Sequence, residues 1–155
     1  MMSSFTNLLF HIVYSTKYRR PLIHSAWQDE LYAYFGGIIR EQKGILLRSG
    51  GVADHVHLLA KLSPTITVSD TLRILKANSS KWINDHHQVA PKFEWQPGYA
   101  AFSVSESQAA TVKQYIDNQE EHHRSRSFEE ELLAMLERHG IEYDPRYVFE
   151  QEIVE

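Results

Sequence analysis

The segment from Ile45 to Leu62 constrains this chain more than any other. Two apolar runs, 45–50 and 55–62, are separated by Gly51-Val52-Ala53-Asp54, which predicts an antiparallel hairpin rather than one long helix. On its N-terminal side, Leu8 to Tyr14 has the length and the β-branched and aromatic content of a strand, and Pro21 ends the stretch that follows. A helix is expected after it, with Ser25 as candidate N-cap, an apolar stripe from Trp27 to Ile39 and an end at Gly44. A second helix is expected after Thr67, from Val68 through Trp82, ending near 84–87, and then a strand after the Pro97-Gly98 turn. Strand, helix, strand, strand, helix, strand is the order of a split β-α-β unit. The expected fold class is therefore α+β, a ferredoxin-like sandwich with an antiparallel sheet and appended C-terminal helices. That topology makes strands one and three neighbours at the sheet centre.

The second arm of the hairpin carries His55 and His57. Residues two apart in a strand share a face, so the imidazoles stand side by side while Val56 points the other way. This is the geometry of a two-imidazole metal site, and equally of a surface or hydrogen-bonded pair. Farther along, Val112 to His123 reads as a helix in which Tyr115 and Gln119, four apart, share a face. A phenol can act as a nucleophile and an amide oxygen can ligate a hard cation; the spacing alone also fits a core tyrosine with a solvated neighbour.

A net charge of −4 argues against a nucleic-acid partner until its distribution is considered. Residues 129–155 hold nine acids and two bases, a net of −7, which leaves +3 on the rest of the chain. That part contains Lys17-Tyr18-Arg19-Arg20, then Arg40, Lys43 and Arg48, then Arg73, Lys76 and Lys81 along the second helix. These cations, interleaved with aromatics, suit phosphate contacts, although solvated faces of an ordinary domain read the same way. Absence of cysteine excludes disulfides, a thiolate nucleophile and cysteine-bound zinc. No segment has the apolar length of a membrane span and the first residues lack a signal-peptide pattern, so a cytoplasmic protein without membrane contact is expected. A chain of 155 residues, 43% hydrophobic, suits one compact unit. We divide it into a core, 1–126, and an acidic helix and tail, 127–155, capped by Ser127 and packing on the core or a partner through Phe128, Leu132, Leu133 and Leu136.

His55-Val56-His57 and Tyr115-Ile116-Asp117-Asn118-Gln119, in this order, together with the stretch His11 to Pro21 and Trp95-Gln96-Pro97-Gly98-Tyr99, resemble the HUH single-tyrosine transposases of small bacterial insertion sequences. Relatives of that family include the REP-associated tyrosine transposases, domesticated forms sharing the same core. Tyr14-Ser15 departs from the Trp-Cys pair frequent among them, outside the catalytic set. The resemblance implies that His55, His57 and Gln119 hold Mg²⁺ or Mn²⁺ and that Tyr115 attacks phosphorus, giving a 5′-phosphotyrosine and a free 3′-hydroxyl. It implies single-stranded DNA with hairpin ends as substrate and a homodimer in which the tyrosine helix can complete the partner's site. Lys17, Tyr18, Arg19, Arg20, Arg73, Lys76, Lys81 and Trp95 are the expected DNA contacts, with Tyr18 or Trp95 stacking a base. Two alternatives come from other classes. One is a metal-dependent phosphodiesterase that uses His122 or His123 with the strand pair and a water nucleophile, and forms no protein–DNA adduct. The other is a non-catalytic regulator that binds single strands without metal.

Overall fold

The computed structural model describes residues 3–150. Strands β1 (Leu9–Ser15), β2 (Ile45–Val52), β3 (His55–Lys61) and β4 (Ala100–Val104) form one sheet in the order β2-β3-β1-β4. All pairings are antiparallel, and β1 and β3 are central, with Val13 opposite His57 on one side and Ala100 on the other. Helices α1 (Ser25–Glu41) and α2 (Val68–His87) are the crossovers, and α3 (Ala109–Asp117), α4 (Gln119–His122) and α5 (Phe128–Arg138) follow β4. This is the expected α+β sandwich.

Strand alternation sorts the side chains into two layers. Ile12, Tyr14, Val56 and Leu58 enter a core with Leu31, Phe35 and Ile39 of α1 and Leu72 and Leu75 of α2. The opposite face carries His11 and Val13 of β1, His55, His57 and Leu59 of β3, and Phe102 of β4, all buried. α3 covers the Leu59 end through Ile116, and α5 lays Phe128, Leu132, Met135 and Leu136 against Val13 and Phe102.

Two helix starts follow the sequence. Thr67 Oγ1 accepts from the Asp70 N–H at 3.0 Å and Ser127 Oγ accepts from the Glu130 N–H at 3.2 Å. Two boundaries differ from expectation, and one falls where expected. Ser25 is the first helical residue of α1 rather than its cap; His24 holds the cap position and makes no side-chain cap bond. α2 ends at His87, inside the expected range, its last turns held by the buried Ile83 and by Asn84, which brackets Phe93, donating to its carbonyl at 3.0 Å and accepting from its N–H at 2.9 Å. The tyrosine helix is broken: Asn118, with φ −98° and ψ 21°, separates α3 from α4. The Asn118 N–H is shared between the Gln114 and Tyr115 carbonyls at 3.2 and 3.3 Å, a tightened final turn. Neither Ser105 nor Ser107 caps α3; their hydroxyls bond each other at 3.0 Å.

β2 and α3 meet at Gly50, where a Cβ would lie 2.4 Å from the Ile116 carbonyl oxygen, so only glycine permits this approach. No helix among the described residues is long and apolar enough to cross a membrane.

Candidate active site

β3 presents His55 and His57 from the sheet centre, α3 brings Tyr115 over them, and the turn at Asn118 sends Gln119 inward. Gln119 is buried and its Oε1 accepts from His55 Nε2 at 3.0 Å. Into the same space α5 inserts Glu131, which is fully buried. Its Oε1 accepts from His57 Nε2 at 2.9 Å and from His123 Nε2 at 3.1 Å, and lies 3.3 Å from His55 Nε2. Its Oε2 accepts from Gln119 Nε2 at 3.1 Å and from the Tyr115 hydroxyl. Arg126 Nη2 donates to the Tyr115 oxygen at 3.2 Å. With His57 Nε2 donating to Glu131, its Nδ1 accepts, so the buried His11 donates from Nε2 at 2.8 Å. His55 donates from Nδ1 to Asp54 Oδ1 at 2.7 Å, which fixes its ring with Nε2 toward the cluster.

The charges follow from these contacts. Burial opposes ionisation of Glu131, but the donors His55 and His57, and then Tyr115, hold its carboxyl well below the usual carboxylate range. Burial also opposes the charged form of His55, yet hydrogen bonds to Asp54 and Glu131 overcome it and push its pKa up to about 9. His57 lacks the second carboxylate, and burial pulls it down to about 4; burial and the neighbouring His57 take His11 to about 3. Tyr115 is pushed up to about 12 by burial and by its hydrogen bond to Glu131. One cationic imidazole thus balances one buried carboxylate beside a firmly protonated phenol. The donor set also fits a divalent cation: ligand atoms of His55, His57 and Glu131 all lie within 4.8 Å of one another, and Gln119 adds an amide oxygen.

The profile of the IS200-like transposase family matches residues 4–119. The chain belongs to that family. The ISDra2 transposase TnpA of Deinococcus radiodurans is 26% identical over 72% of this chain and 84% of its own length. The insertion-sequence IS200 transposase of Salmonella typhimurium is 30% identical over 73% of this chain and 77% of its own. A solved structure of a transposase candidate from Deinococcus radiodurans R1 superposes with a TM-score of 0.61 at 26% identity, covering 77% of this chain and 95% of the other. A REP-associated tyrosine transposase bound to a REP hairpin shares the fold over 99% of this chain and 100% of its own, with a TM-score of 0.60 at 13% identity. The match to the family profile ends at Gln119, so in this transposase Arg126 and Glu131 come from outside the matched segment.

The four residues read as the transposase's chemistry, His55, His57, Tyr115 and Gln119, come together within one chain. The expected DNA contacts do not. Arg73, Lys76 and Lys81 sit on α2, across the sheet from the histidines; Arg73 lies 3.8 Å from Asp70 and Lys81 pairs with Asp85 at 2.6 Å. Lys76 is a structural bolt whose ammonium donates to the Gln96 and Gly98 carbonyls at 2.6 and 2.5 Å, and burial lowers it to about 8. Trp95 corrects the sequence reading: it is buried edge-on to Tyr14 and Phe93, with Nε1 donating to Ser79 Oγ at 2.9 Å, so its ring belongs to the core rather than to a base. The Lys17–Arg20 turn lies beside α5, where Arg19 pairs with Glu129 at 2.7 Å and donates to the Glu150 carbonyl at 3.2 Å. Lys17 pairs with Glu94 at 3.6 Å, and the Tyr18 ring takes Lys17 and Arg20 as cation-π partners.

Glu131, His11 and Arg126 were missed by the sequence reading, and His123 entered it only in the phosphodiesterase alternative. One signal was available for Glu131. It lies three residues after Phe128 and four before Met135, a charged residue on the buried stripe of its helix.

Proposed function

We propose that this transposase cleaves and rejoins single-stranded DNA through a 5′-phosphotyrosine on Tyr115, with a divalent metal held by His55, His57 and Gln119. The observation that supports it most is the placement of Tyr115 against the histidine pair, its ring centroid 5.7 Å from that of His57, inside the polar cluster that also contains Gln119. The Tyr115 oxygen attacks phosphorus, the bond from phosphorus to the 3′ oxygen breaks, and that oxygen leaves as a 3′-hydroxyl after taking a proton. The phosphodiester bond is conserved as a tyrosyl ester, so a strand hydroxyl can reverse the step without an external energy source. A Mg²⁺ or Mn²⁺ ion in the site would neutralise phosphate charge and polarise its oxygens. Arg126, 3.2 Å from the phenol oxygen, opposes the effect of Glu131 and favours the phenolate.

Hairpin-ended single strands as substrate, and a homodimer as the working assembly, rest on the family resemblance; the shared fold of a transposase bound to a REP hairpin agrees with the first. Lys17, Arg19, Arg20 and Tyr18 are the expected residues nearest the site for backbone contact and stacking. The test is denaturing electrophoresis of wild type and Tyr115→Phe with a labelled hairpin-bearing oligonucleotide and Mn²⁺. Wild type should form a denaturant-stable adduct and Tyr115→Phe none, at unchanged oligonucleotide affinity. An adduct in the Phe variant would mean that another residue is the nucleophile, whereas cleavage by wild type without an adduct would leave the water-using phosphodiesterase as the better reading.

A further inference from the structure

The metal reading above draws its ligands from β3 and from the residue that follows the tyrosine helix. The carboxylate of α5 competes with that assignment on geometry. Glu131 Oε1 lies 2.9 Å from His57 Nε2, 3.3 Å from His55 Nε2 and 3.1 Å from His123 Nε2, so three imidazole nitrogens converge on one oxygen. Among the described residues, Gln119 Oε1 meets two imidazoles, those of His55 and His123, at 3.0 and 3.1 Å. We propose that Glu131 is itself a ligand of the divalent cation, so that the centre is completed by the C-terminal helix and includes an anionic donor.

Three further observations carry this. Glu131 is fully buried, and among the described residues its one guanidinium partner, Arg126, reaches it at 4.0 Å, the outer limit of an ion pair, so arginine offsets little of the cost of removing the anion from water. Among the groups that satisfy it instead, the His55 and His57 Nε2 atoms beside Oε1 are the ones that would bind a metal, and an entering ion takes the place of their protons. Two imidazoles and an amide are a neutral donor set, whereas two imidazoles and a carboxylate form a common set for divalent transition ions. Finally, Glu131 interrupts the apolar stripe between Phe128 and Met135, where an aliphatic residue would pack on the sheet without any desolvation cost.

The proposal depends on the site holding a divalent cation, and its test is separate from the adduct assay. Mn²⁺ is titrated calorimetrically into the full chain as wild type, His57→Ala and Glu131→Gln, with far-UV circular dichroism and thermal unfolding of the metal-free forms as controls. Glu131→Gln should weaken Mn²⁺ binding more than about 100-fold, as His57→Ala should, because loss of an outer-sphere partner of a metal ligand costs only about 10- to 100-fold in affinity. A smaller loss or none in Glu131→Gln, with the full loss in His57→Ala, would overturn the proposal and leave the carboxylate as a partner of the histidines and a latch for α5, seen as a lower metal-free Tm. Absence of Mn²⁺ binding by wild type would overturn it as well. Should Glu131→Gln fail to fold, Glu131→Asp is read in the same titration: it keeps the charge but withdraws the oxygen by one methylene, so a ligand loses affinity and a latch does not. Weakening beyond about 100-fold without any adduct from wild type would remove the strand-transfer reading and leave Glu131 as a ligand. An adduct with a smaller loss or none in Glu131→Gln would do the reverse.

Discussion

The two faces of this sheet spend burial differently. Toward α1 and α2, the central strands present Ile12, Tyr14, Val56 and Leu58 to an almost wholly apolar layer. Toward α3 and α5, the same strands present His11, His55 and His57, and the covering helices answer with Tyr115 and Glu131. Along the first four residues of β3, Val56 and Leu58 serve stability while His55 and His57 serve chemistry, so a one-residue slip in strand register would exchange the two. The apolar face tolerates no ambiguity of register, and that rigidity fixes the histidines on the other.

The sharpest way to break this division is to damage the apolar side alone. Phe35→Ala empties a fully buried site in that layer and should cost about 3–5 kcal/mol in chemical denaturation while leaving Mn²⁺ affinity unaltered in the folded protein. A change in metal affinity would mean that the layers are coupled through the sheet. The next effect belongs to the polar face and is read from stability against pH in chelator. His55, raised from 6.5 to about 9, contributes stability that is complete below pH 6.5 and disappears as pH rises through about 9. His57 and His11, lowered from 6.5 to about 4 and about 3, contribute stability that is complete above pH 6.5 and fades as pH falls toward those values. Denaturation midpoints should therefore peak near pH 6.5 and decline on both sides; a midpoint still rising at pH 8.5 would contradict the charge assignment of His55. Smaller again is the cap of α5. Ser127→Ala removes the acceptor for the Glu130 N–H and should cost about 1 kcal/mol, measured by urea titration. The smallest effect is expected on the far helix: Lys81→Ala breaks an exposed pair with Asp85 and should leave both the urea midpoint and adduct formation unchanged. A clear loss of adduct there would restore α2 as a DNA surface.

The same division explains what was legible in the sequence. Strand order and hairpin were readable because β1, β2 and β3 are short runs of strand formers, with a helical stripe between the first two and turn residues between the last two, and the histidine pair because period two needs no tertiary information. Thr67 and Ser127 announced their helices through cap chemistry. The break at Asn118 was not readable, since 112–123 has unbroken helical character and the kink serves contacts made by Gln119 with distant residues. Glu131 was hidden in Glu129-Glu130-Glu131, where the first two are a normal acidic first turn and only the third faces inward. His11 was read as a strand residue, because its partner His57 lies 46 residues away and is set by register alone. Charge counting located the basic turn 17–20 but not its neutralisation by Glu129 and Glu94, which is a matter of folding back rather than of composition.

The contact between Gly50 and the Ile116 carbonyl has a bearing on how such a protein can drift. Tyr115 precedes Ile116, so the height of the phenol above the histidines is gauged by an edge strand at a place that carries no side chain at all. A single methyl group there would lift the tyrosine helix off its seat without altering any residue that reacts. The chemistry of this molecule is thus vulnerable at a position that carries no reactive group.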